Sequence, residues 1–221
     1  MFPAQSLCTI VLYLQKENDN KEELHMKTAS RARQITLLGL LTAIVVLMSC
    51  TPLGYLQIGP LALTLNMIPV AVAAVAMGPL GGMTVGAAFG VTSFLQAMGI
   101  GGGSVLGSAL FAISPLRCLL LCFGTRLLTG FLLGLIGRLR IPNPGFVTGF
   151  AAAFLNTALF MGTLVALFGS TDYVRGLMGG KNVFVFICTF VGVQAVVEML
   201  ASTAVTGVLI RGLERARMIV R

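Results

Sequence analysis

The stretch GPLGGMTVGAAFG, residues 78–90, carries glycine at 78, 82, 86 and 90, a spacing of four. Residues four apart share one face of an α-helix. In water each such glycine would weaken the helix by about 1 kcal/mol relative to alanine. In lipid the same residue lets two helix backbones approach closely, and glycine is more frequent in spanning helices than in soluble ones. The stretch therefore reads as a membrane helix, with Gly82, Gly86 and Gly90 as its packing stripe against a neighbour.

The rest of the chain supports lipid as the solvent. It is 57% hydrophobic and 10% charged, with mean hydropathy +0.96, 27 glycines and no tryptophan. An ordinary soluble domain is roughly 25% charged. Fifteen Lys+Arg and seven Asp+Glu cannot coat the surface of 221 residues. The net charge of +8 does not point to nucleic acid, because the basic residues sit at segment ends and no aromatic–basic patch accompanies them. Five scattered cysteines suggest neither a disulfide frame nor a zinc site, and Cys118 and Cys122 read as buried thiols.

The expected fold is an all-α membrane protein, a six-helix transmembrane bundle with both termini cytoplasmic. Apolar segments run over about 34–50, 61–77, 80–98, within 115–137, 145–168 and 183–210. Lipid leaves helices as the spanning solution for such segments. Lys27, Arg31 and Arg33 precede the first, Arg138 and Arg140 follow the fourth, and Arg211, Arg215, Arg217 and Arg221 follow the sixth. Six spans put all of these on one side, which the positive-inside rule makes cytoplasmic. The division is an N-terminal tail over 1–33, the bundle over 34–213 and a basic tail over 214–221. SLCTIVLYL is too short to span and has no basic run before it, so it does not read as a signal peptide. Two starts are open, Met1 and Met26; the expected one is Met26, which would leave 1–25 untranslated.

Catalytic signals are sparse. The single histidine, His25, lies in the tail, which removes a Ser/His/Asp set and a His–Glu metal helix. MGIGGGS (98–104) and GLMGGKN (176–182) both fail the phosphate-loop pattern. No enzyme activity and no cofactor are expected. What remains are polar groups inside apolar helices, which by default face the protein interior and mark a site. Arg126 lies about 18 Å along the helix from Arg138, in the outer half of the bilayer. It reads either as a ligand contact or as a snorkelling side chain; Arg117 reads as interfacial or as a second contact. Asn156 can bond a ligand or another helix. Glu198 needs a partner if ionised, with Arg126 a candidate and Gln194 one turn away on the same face. Gly39 with Ala43, and Gly130 with Gly134, are further close-contact pairs.

PLGYLQIGPLALTLNMIPVAVAAVAMGPLGGMTVGAAFGVTSF (52–94) closely resembles the first half of the substrate-binding (S) components of energy-coupling-factor (ECF) transporters. Thr64, Ile68-Pro69, Gly78-Pro79, Gly82, Gly86, Phe89-Gly90 and Ser93 carry the resemblance. TRLLTGFLLGL, FLNTALFMG and VVEMLAS fit the same family's later helices, so it covers about 34–210. It implies a six-helix bundle in a bacterial plasma membrane that captures a vitamin or similar micronutrient from outside. It also implies a transmembrane scaffold subunit and two cytoplasmic ATPases as partners. Gly39 and Ala43 stand where the family carries its partner-docking motif on the first helix.

The Ile-Pro before helix two, the Arg opening helix four and the Asn-Thr of helix five resemble the pantothenate type. Riboflavin and folate types stay open. In this reading Arg126 pairs with the vitamin's carboxylate, and Asn156 and Thr64 bond its polar groups. Glu198, Gln194 and Arg117 line the site, and the loops 51–63 and 99–114 close over it. The rival reading is a self-sufficient secondary transporter or channel, which would carry inverted repeats and a coupling-ion site.

Overall fold

Lipid offers no hydrogen-bond partner to bare backbone, and among the described residues the long apolar runs are mainly helical. The computed structural model describes residues 32–51, 55–58, 61–100, 105–139, 141–180 and 182–216. Helix α1 is Ala32–Cys50. A two-stranded antiparallel hairpin follows, β1 Tyr55–Ile58 and β2 Leu61–Thr64, with Tyr55 opposite Thr64. Then come α2 Met67–Ala97, α3 Val105–Ile113, α4 Pro115–Arg138, α5 Pro144–Phe168, α6 Asp172–Met178 and α7 Val183–Arg215. Proline opens α4 and α5, where its missing N–H costs nothing.

Contacts divide the chain into two units, Met1–Leu37 and Leu38–Arg221. In the first, the described part is the opening of α1, where Thr36 Oγ1 donates to the Ala32 carbonyl at 2.9 Å. The second holds the bundle. Residues 1–31 with His25 and Met26, Arg140, Lys181 and the basic tail beyond Ala216 lie outside the described residues, as does the Thr64 side chain.

One expectation needs correction, and another is met in part. The second apolar segment was placed at 61–77, but 61–64 is strand and the helix starts at Met67. The alternation of apolar residues with Gly and Gln in YLQIGPLALT suits a short hairpin as well as a helix start. The six expected spans are, among the described residues, five helices long and apolar enough to cross a membrane. The difference lies in α2, which reverses at Gly78, where φ is 72° and ψ −157°. A Cβ on Gly82 would stand 3.1 Å from the Ala74 Cβ. Eight residues of straight helix would put these two about 12 Å apart. The limbs Met67–Met77 and Pro79–Ala97 therefore fold back on each other. Glycine is needed at the reversal, because a side chain at that φ is strained. The first limb, MIPVAVAAVAM, is about 16 Å long. It is buried from Met67 to Val75, as a helix that is apolar on every side requires.

The second limb of α2 runs antiparallel to α4, and backbone touches backbone along the glycine stripe. A Cβ on Gly86 would meet the Arg126 carbonyl oxygen at 2.6 Å, and one on Gly90 the Phe123 Cα at 2.9 Å. Gly82 faces Gly130, and Gly134 faces Pro79. Helices α5 and α7 make a second antiparallel seam. There a Cβ on Gly145 would meet the Ile210 Cβ at 2.8 Å, and one on Gly149 the Ser202 carbonyl oxygen at 2.6 Å. In lipid such close packing supplies the attraction that hydrophobic burial supplies in water.

The turns sort into two ends. At one, Arg138 lies against Gly78 and Arg211 Nη2 donates to Asn143 Oδ1 at 2.8 Å. At the other, Ser49, Asn66 and Gln96 meet, and α3 and α6 pack over an apolar cluster with Leu110, Cys118, Leu164 and Val174 at its centre. Leu40, Leu80, Leu116, Phe154, Leu200 and Val208 are more than half exposed. A soluble monomer rarely leaves so much apolar surface open, whereas acyl chains cover it at no cost.

Candidate functional site

Helix α4 is not α-helical throughout. A π-helical turn occupies Leu120–Gly124, immediately before Arg126. In an α-helix, residues 118 and 126 would point about 80° apart. The extra residue taken up by a π turn rotates the following helix back by about 100°, so Cys118, Cys122 and Arg126 share one inward face. Their relative exposures are 0%, 6% and 6%. The guanidinium of Arg126 therefore lies inside the protein and is not splayed into lipid.

Its surroundings are mostly aromatic. The Arg126 Cζ is 4.5 Å from the centre of the Phe160 ring and 5.3 Å from that of Phe89. Thr125 Oγ1 donates to the Leu121 carbonyl at 2.5 Å and accepts from Arg126 Nη1 at 3.0 Å. Nη1 also reaches the Leu121 carbonyl at 3.4 Å, a long contact. Nε is buried without a hydrogen-bond partner. Each desolvated cation–π contact returns about 2 kcal/mol or more. Taking the charge out of water costs several kcal/mol even after relaxation. The cage holds the guanidinium's orientation while leaving it able to gain from an incoming anion.

Asn156 lies one turn before Phe160 on the same face of α5. It is 5% exposed and its Oδ1 is buried without a partner. On α7, Glu198 is buried, and Gln194 one turn earlier is half-buried. Arg117 sits apart, exposed on α4, where its Nη1 donates to the Leu167 carbonyl at 3.3 Å. Thr64 closes β2 at the Ser49–Asn66 end of the bundle.

A polar network that the sequence analysis did not single out ties that end together. Asn66 Nδ2 donates to Ser49 Oγ at 3.2 Å, and Ser49 Oγ to Thr92 Oγ1 at 3.0 Å. Gln96 Nε2 donates to the Ser49 carbonyl at 2.6 Å. It joins the end of α1, the exit from the hairpin and the end of the second α2 limb. The signal was present: Ser49, Asn66 and Gln96 are polar residues at the edges of apolar runs. Phe89 and Phe160 were missed because a phenylalanine in a membrane helix is unremarkable until its partner is known.

Residues 33–210 match the family described as ECF transporter, substrate-specific component. The chain belongs to that family. The match takes in every helix that carries the site. No curated protein matches the chain. The S component is thus the substrate-capture subunit of an ECF importer, a multi-pass membrane protein. Its partners are the ECF membrane scaffold and ATPases, and its cargo is a small molecule. On the S component's α1, Gly39 and Ala43 fall on an exposed face, with nothing within 4 Å of a Cβ placed on Gly39. Val45 and Ser49 face inward on the same helix.

Proposed function

We propose that this S component captures pantothenate, with the Arg126 guanidinium paired to the vitamin's carboxylate. The observation that carries the reading is a guanidinium buried between Phe89 and Phe160 whose Nε has no hydrogen-bond partner. A caged, under-bonded cation selects an anionic ligand. Pantothenate adds an amide and hydroxyls, for which Asn156 Oδ1 is an acceptor one turn from the cage. Thr64, Glu198 and Gln194 are proposed as further polar contacts, and Arg117 as an outer one. The loops 51–63 and 99–114, of which 52–54, 59–60 and 101–104 lie outside the described residues, are proposed as the cover of the site.

The α2 reversal supports six crossings with both termini cytoplasmic, because the turn at Gly78 returns the chain to the end where Arg138 and Arg211 cluster. The exposed Gly39–Ala43 face is proposed as the docking surface for the scaffold subunit. The cell membrane in question is proposed to be a bacterial plasma membrane.

Calorimetric titration of pantothenate, riboflavin and folate into the detergent-purified protein tests this reading. A charge-assisted hydrogen bond is worth about 1.5–3 kcal/mol, so Arg126→Ala should weaken pantothenate binding by roughly 10- to 150-fold. Arg175→Ala, on an exposed turn of α6, should leave it unchanged. Equal affinities for the two variants would remove Arg126 from the site. Tighter binding of riboflavin or folate would overturn the choice of vitamin.

A further inference from the structure

The seam between α5 and α7 contains three buried hydroxyls that nothing bonds. Thr148, Ser202 and Thr206 are 0%, 2% and 0% exposed, and the Oγ1 or Oγ of each has no hydrogen-bond partner. Several other hydroxyls in the described helices are satisfied locally. Thr84, Thr125, Thr129 and Thr203 each donate to the carbonyl four residues earlier, at 2.7, 2.5, 2.7 and 2.5 Å. Thr203, adjacent to Ser202, takes that route. The three seam hydroxyls point elsewhere.

Helix geometry puts all three on one flank of the seam. A Cβ on Gly149 would meet the Ser202 carbonyl oxygen at 2.6 Å and the Thr206 Cβ at 3.0 Å, which sets Thr148 level with Ser202 and Thr206. On the opposite flank of the seam Phe146 packs against Gly207 and lies under Arg211, 4.7 Å from its Cζ. At 100° per residue, Thr148 falls on the side of α5 away from Phe146, and Ser202 and Thr206 on the side of α7 away from Gly207. All three therefore project from the inner flank. Helix α2 packs against both α5 and α7. Its first limb, MIPVAVAAVAM, has no hydrogen-bonding side chain to offer them.

We propose that Thr148, Ser202 and Thr206 hold an internal water molecule on the inner flank of the α5–α7 seam. A buried water typically makes about three hydrogen bonds to polar groups that would otherwise lack partners. Three converging hydroxyls, each able to donate and accept, meet that requirement. The water would pin the basic ends of α5 and α7 together, in the half of the seam remote from Arg126.

Isosteric replacements separate this proposal from a dry seam. Thr148→Val, Ser202→Ala and Thr206→Val should each lower the melting temperature in detergent by about 2–4 °C, since each strips one bond from the water. The triple variant should lose less than the sum, because the water leaves with its partners. If each single substitution instead raises the melting temperature, the hydroxyls are dry and the proposal is wrong. A wild-type melting temperature that rises in sodium over choline at equal ionic strength, and does so less in the triple variant, would replace the water by a cation. In an experimental map, density within hydrogen-bond distance of at least two hydroxyls, lost in the triple variant, supports the proposal. An empty site in the wild type overturns it.

Discussion

Gly82→Ala is the most direct perturbation of the packing on which the bundle rests. A Cβ at Gly82 would come within 3.0 Å of the Gly130 carbonyl carbon, closer still to its oxygen, and within 3.1 Å of the Ala74 Cβ. The first two are backbone atoms of a neighbouring helix and cannot swing aside as a flexible side chain could. Relief requires α2 and α4 to separate by something like an ångström, loosening the contacts above and below. Over-packing of a tight core costs about 1–3 kcal/mol, and a backbone obstacle puts this case at the upper end. For a chain of this size that corresponds to a fall in melting temperature of roughly 5–10 °C. Gly39→Ala and Gly162→Ala supply the control, since nothing lies within 4 Å of a Cβ at either position. Both should hold or slightly raise the melting temperature, alanine being the better helix former. Gly82→Ala combined with Gly130→Ala should cost less than the sum, because one separation relieves both clashes. Thermal unfolding in detergent, followed by circular dichroism, reads all four variants. If Gly82→Ala melts with Gly39→Ala, the backbone contact is not what holds these helices and the reasoning fails.

Other substitutions probe separate features. Gly78→Ala should destabilise by about 1–2 kcal/mol, because alanine at φ 72° is strained and its Cβ would press on the Arg138 Nε at 3.0 Å; an unchanged melting temperature would contradict the reversal. Gln96→Leu removes the tie to the Ser49 carbonyl and should cost about 1–2 kcal/mol by the same assay. Gly39→Leu with Ala43→Leu should leave vitamin binding by the isolated protein intact while weakening its co-purification with the scaffold subunit. Normal co-purification would move the docking surface elsewhere.

The sequence made some of this legible and hid the rest for physical reasons. The glycine spacing pointed to a close helix–helix contact, because few other residues permit backbone to touch backbone in lipid; that the partner is α4 appears only in the structure. Gly78-Pro79 marked a break between two apolar segments, since glycine tolerates positive φ and proline starts a helix. The length of the first limb was misjudged because LALT is apolar enough to pass for helix, and only its pairing with YLQI makes it strand. The π turn leaves no trace in LLCFG, whose residues suit an ordinary helix. Without it the alignment of Cys118, Cys122 and Arg126 cannot be foreseen. The ring cage depends on Phe89 and Phe160, seventy-one positions apart in the chain (160 − 89), meeting the same guanidinium from two other helices. Thr148, Ser202 and Thr206 look like ordinary small polar residues of a membrane helix until their hydroxyls are found unbonded.

The claim that a caged guanidinium reads the charge of its cargo is tested most directly by a double cycle of protein and ligand. Dissociation constants would be measured by calorimetry for pantothenate and for its alcohol analogue, in which CH2OH replaces the carboxylate, on the wild type and on Arg126→Ala. The wild type should favour the acid by roughly 10- to 150-fold, and the variant should bind the two about equally. A variant that still prefers the acid by the wild-type margin would place the carboxylate away from Arg126 and contradict the account.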